Sequence, residues 1–155
     1  MNNLHSLDTH WLPRLFGDDI FSTTTMIMCC DADKIAKNHA SAVAWADKLQ
    51  YIVVDVDIGQ DPREAIFYKI SRESNVAAAV EARLKKTNRR AFIVIRDASR
   101  FANNETGLAI LWSLKSARDR VEPRLRLLFF GSDRAALQTF VTPKSAPFLD
   151  SKVLG

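Results

Sequence analysis

Two adjacent cysteines, three histidines and no apolar run of bilayer length set the first limits on this 155-residue chain. A disulfide framework needs spaced partners, and neighbouring cysteines close only a strained ring. Cys29 and Cys30 therefore read as thiols in a core strand. One Cys-Cys pair, with His5, His10 and His39 at no ligand-like spacing, predicts no metal site and no cofactor. A membrane-crossing helix needs about 20 apolar residues. Residues 1–19 mix His, Asp, Arg and Trp without an apolar stretch, so a cytoplasmic protein with no membrane contact is expected. No Ser-His-Asp or Cys-His pattern points to nucleophilic catalysis. The net charge of +4 permits an acidic partner, nucleic acid included, without demanding one.

What the chain does contain is four short apolar runs rich in β-branched and aromatic residues: 24–30, 51–56 (YIVVDV), 91–95 (AFIVI) and 125–130 (LRLLFF). Each is nearly continuous, the pattern of parallel strands covered on both faces. Helix-period segments separate them. Ile35, His39 or Ala40, Val43, Ala46 and Leu49 share one stripe over 34–49. Asp61-Pro62-Arg63-Glu64 reads as a helix start, with Ile66, Phe67 and Ile70 following; a second stretch carries Val76, Val80 and Leu84. Asn104 is a candidate cap for a helix that is apolar on two sides, and Asp133 caps a short helix ending before Pro143.

Alternation of this kind predicts a single three-layer α/β domain over 1–155, with a parallel sheet of about four to five strands and helices on both faces. Residues 1–22 read as an N-terminal extension, 23–142 as the core and 143–155 as a C-terminal tail.

Element order over 24–149, with AFIVIRDASRF, NETGLAILWSLK and LRLLFFGSDRAAL as they stand here, resembles the ATPase core of AAA-type P-loop proteins. That resemblance implies a P-loop NTPase-like fold and a nucleotide site at the strand ends. Its positions on this chain are Asp31, Asp33 and Lys34 after the first strand, Arg96 and Asp97 after the third, and Ser132 as the sensor counterpart after the fourth. The departures from the family pattern are specific. A phosphate loop uses glycines to wrap backbone amides around a phosphate, and a hydroxyl after the Lys to reach magnesium. Residues 29–35 read CCDADKI, without a glycine and with Ile35 after Lys34. Arg96-Asp97 stands where an acid pair would hold the metal. The reading that follows is a degenerate, non-catalytic interaction or regulatory subunit with no bound nucleotide expected. The resemblance implies a protein partner, either an active ATPase or further copies of the chain.

Two other functions remain open on the residues. Asp55 and Asp57 lie two apart, on one face of an extended segment, and with Asp97 could serve a metal-dependent phosphoryl-transfer enzyme or nuclease. Basic residues gather at Arg83, Lys85, Lys86, Arg89 and Arg90, and again at Lys115, Arg118, Arg120, Arg124 and Arg126. Both groups fall where a helix ends and a strand begins. Cations there complement the helix dipole, or they form a patch for nucleic acid.

Overall fold

The computed structural model describes residues 11–17, 23–58, 76–103, 105–121, 123–142 and 146–155. The helix expected from Asp61 through Ile70, the Asn104 cap and the Pro143 stop lie outside these residues. Within them, α1 (Leu12–Phe16) precedes β1 (Thr25–Cys29), α2 (Ala32–Lys48) and β2 (Ile52–Asp57). Then come α3 (Val76–Lys85), β3 (Ala91–Arg96), a 3-10 turn (Ala98–Phe101) and α4 (Glu105–Val121). The chain ends with β4 (Leu125–Gly131), α5 (Arg134–Gln138) and β5 (Val153–Leu154). The four apolar runs of the sequence are β1 to β4.

All five strands are parallel, in the order β2-β3-β4-β1-β5. Side chains alternate across the sheet, so each strand feeds two cores. Ile27, Val54, Val56, Ile93, Ile95, Leu127 and Phe129 pack under α3, α4 and α5. Met26, Met28, Phe92, Val94, Leu128 and Phe130 pack under α1 and α2. Burial on both faces explains why the runs are continuous rather than alternating.

Two segments outside the four apolar runs also pack on the sheet. Residues 11–16, read as part of an extension, bury Trp11, Leu12, Leu15 and Phe16 against the sheet. Phe16 meets Phe92 edge-on, with ring centroids 4.9 Å apart. Residues 146–155, read as a tail, bury Ala146 and Phe148 and then supply β5, pairing Ile27 with Val153 and Met28 with Leu154. A two-residue strand carries no periodicity for a sequence to display.

Gly107 lies inside α4, where glycine costs about 0.5–1 kcal/mol relative to alanine. The position requires it: a Cβ would sit 2.7 Å from Phe101 Cα and 2.8 Å from Phe101 O. The helix crosses the 3-10 turn backbone to backbone.

Candidate functional site

In an open α/β sheet, ligands sit at the carboxyl ends of two neighbouring strands whose connections leave in opposite directions. Here those strands are β1 and β4. The chain leaves β1 through α2 toward β2 at one edge, and leaves β4 through α5 toward β5 at the other. The crevice is thus bounded by residues 30–34 and 131–134.

Both helices that open onto it are closed by their own aspartates. Asp31, extended at φ −72° and ψ 168°, accepts the Lys34 amide on its carboxylate at 2.9 Å. Asp133 does the same for the Ala136 amide at 3.1 Å. The amides an anion would use are partly taken, and each mouth carries a negative charge. Asp33 stands in the first turn of α2, exposed, as does Lys34. Ser132 is exposed. Gly131 is fixed by its neighbours, because any Cβ there would overlap the Ser99 hydroxyl and crowd Leu137. Ser99 Oγ in turn accepts the Asp133 amide over a long 3.4 Å.

The far side of the crevice is occupied by the chain itself. Arg134 donates to the Gly155 carbonyl, and Gly155, at φ +111°, lies against the Cys29 carbonyl. Cys29 and Cys30 are half-buried free thiols. Burial pushes the Cys30 thiol up, with a hydrogen bond to Asn38 pulling the other way.

At the ends of β2 and β3 the acids are divided among different partners. Asp55 Oδ1 lies 2.9 Å from His39 Nε2 and 3.6 Å from an Arg96 guanidinium nitrogen. Asp97, left-handed at φ 59°, pairs with Arg100 at 2.6 Å across an exposed surface. Asp57 is exposed at the end of β2. No three His, Cys, Asp or Glu side chains gather at metal-binding range among the described residues. The structure therefore brings Asp55 to His39 and Arg96, not to Asp97. His39 stood on the stripe of α2 as an alternative to Ala40, but its pairing with Asp55 was not foreseen; an inward Asp of β2 opposite that helix face was the available signal.

The ten basic residues do not form one surface. Arg126 and Arg118 are buried, at 1% and 5% exposure. Arg126 donates to the Leu15 carbonyl at 3.0 Å and lies 3.5 Å from that of Thr23, tying α1 to the sheet. Arg118 donates to Thr25 Oγ1 at 2.8 Å, pairs with Asp119 and sits over the Phe148 ring. Partial burial works against the Asp119 carboxylate, but hydrogen bonds from Lys115 and Arg118 outweigh it and hold Asp119 below the usual carboxylate range.

Arg124 closes the end of α3 through the carbonyls of Leu84, Thr87 and Arg89, at 2.5 to 3.0 Å. Arg89 does so after α2, on Gln50 and Tyr51. Arg90 reaches the Tyr51 hydroxyl at 3.4 Å, and Arg120 pairs with Glu81 at 2.9 Å. Side chains at these positions satisfy carbonyls left over at helix ends. Arg83, Lys85, Lys86 and Arg89 are exposed at the amino edge of the sheet.

No family model matches the chain, and no curated protein matches it. Among solved structures it is similar to the Aeropyrum pernix Orc1 protein in complex with DNA. The TM-score is 0.57 at 13% identity, over 99% of this chain and 44% of that one. That likeness is one of fold: an α/β arrangement with an all-parallel sheet among the described residues. The chain spans less than half the length of that protein. No helix among the described residues is long and apolar enough to cross a membrane.

Proposed function

We propose that this chain is a non-hydrolysing AAA-like domain that works through contacts with other proteins. The observation that carries the reading is the Asp31 cap. Where a phosphate loop would present free amides, an aspartate carboxylate already holds the Lys34 amide, and the turn around it contains no glycine. Two like-charged carboxylates at the mouths of the same crevice would repel a triphosphate at short range. Arg96, at the position of a metal-holding acid, brings a third obstacle: a guanidinium cannot ligate magnesium. Domains of this kind act beside an active ATPase or in company with their own copies, and that is the place we assign to this one.

Calorimetry of the purified chain with ATP and magnesium checks the reading. No binding stronger than about 1 mM, and no phosphate release, is expected. Micromolar affinity accompanied by turnover would overturn it.

A nucleic-acid-binding reading is favoured by one feature, the exposed Arg83, Lys85, Lys86 and Arg89 at the amino edge. The solved relative in complex with DNA supports the same idea by its fold alone. On this reading, binding to duplex DNA falls steeply with salt, each phosphate contact contributing about −0.9 to the slope of log affinity against log salt. The double variant Lys85→Glu, Lys86→Glu should lower affinity and flatten that slope. Equal affinity for the variant and the parent chain would remove the reading.

A further inference from the structure

On the outer side of α4 lies a hollow of about 350 Å³, walled by Phe101, Leu108, Leu111, Phe140 and Pro147. Leu108 is 46% exposed there, and Trp112, one turn along the helix, is 40% exposed. Glu105 is the charged group among the described residues that line it. The opposite layer of the molecule carries the converse shape. Trp45 on α2 and Leu49 just after it are 37% and 47% exposed, four residues apart and so on one helix face, with Lys48 beside them.

We propose that Trp45 and Leu49 of one copy of this chain seat in the Phe101–Phe140 hollow of a second copy. The inference rests on the protein-contact reading above and names the partner. Plug and socket sit on α2 and α4, which cover opposite faces of the sheet, so they cannot meet within one molecule. A hollow of this size lies within the range of sites that take aromatic groups. Trp is also the residue type most enriched where interfaces concentrate their energy.

The charges agree with the shapes. Lys48 travels with the plug and Glu105 lines the hollow, so the contact is complementary in sign. Because the two patches lie on opposite faces, two copies cannot engage both at once, and the contact is head-to-tail. Such contacts close into a ring or run on as a filament, depending on the rotation per copy.

The head-to-tail character supplies a test that other modes of association would fail. Trp45→Glu removes the plug and leaves the socket; Leu108→Glu does the reverse. Both positions are solvent-facing, and circular dichroism melts within a few degrees of the parent chain are expected to confirm that each variant folds. In sedimentation velocity at about 100 μM, a concentration that populates interfaces of micromolar affinity, the parent chain is expected to sediment as oligomers. Each variant alone should be monomeric, while an equimolar mixture of the two should give a dimer that cannot grow. A monomeric parent chain, or a mixture that stays monomeric, overturns the proposal. So does a variant that still assembles alone. Neither result touches the calorimetric test of nucleotide binding, so the two readings fail separately.

Discussion

Replacing Arg126 with alanine is expected to cost about 3–5 kcal/mol. Two losses combine. The side chain fills space between β4 and the described residues Leu15 and Thr23, and its removal leaves a cavity where Arg126 itself is 1% exposed. It also leaves the Leu15 carbonyl without its 3.0 Å donor at the last turn of α1. Arg126→Met separates the two. Methionine restores most of the packing and removes the desolvation penalty of a buried guanidinium, so it should cost markedly less than alanine. Urea unfolding at neutral pH measures both. An alanine variant within 1 kcal/mol of the parent chain would mean that Arg126 contributes nothing beyond covering the sheet.

The second large effect concerns Gly107. In an exposed helix, glycine to alanine gains up to about 1 kcal/mol from helix propensity. Here the same change should destabilise by about 1–3 kcal/mol, since the new methyl meets Phe101 Cα and O at 2.7 and 2.8 Å. Those are backbone atoms and cannot swing aside. The 3-10 turn or the helix must move, and with it the Phe101 wall of the hollow. Ala109→Gly, two residues along on the exposed side of α4, is the contrast: it should cost only the propensity difference. A melting temperature raised by Gly107→Ala would show that α4 and the 3-10 turn can separate freely.

How much of this was legible in the sequence depends on how the information is stored. Strands β1 to β4 are visible because burial on both faces writes itself as an uninterrupted apolar run; the structure moves their ends by about one residue. Helices α2 and α4 are visible because their stripes repeat every three to four residues. The contribution of Val153–Leu154 is not visible, because two residues show no period and the strand is defined wholly by its neighbour β1. The same holds for α1, five residues with Pro13 at its start, held by a side chain more than a hundred residues away.

The candidate site divides in the same manner. Capping by Asp133 is a local rule and could be read directly; Asp31 obeys the same rule, although its residues read first as a missing phosphate loop. The His39–Asp55–Arg96 group could not be assembled from sequence, since α2 must first be laid across β2 and β3 to join them. The basic clusters mislead for a physical reason. Arginine serves equally well as a surface charge or as a donor to helix-end carbonyls, and composition does not distinguish the two. Arg118 and Arg126 turn inward; Lys85 and Lys86 do not.

The place of β1 between β4 and β5 has a consequence for how the chain is made. Thr25 pairs with Leu127 and Ile27 with Val153, so the strand made first acquires neighbours only when distant sequence has left the ribosome. At about 5–20 residues per second the wait is roughly 5–20 s, with TMIMC carrying two open edges throughout. Pairings this far apart fold slowly. A nascent chain stalled before residue 125 would therefore be a natural client for a chaperone that grips short apolar strands.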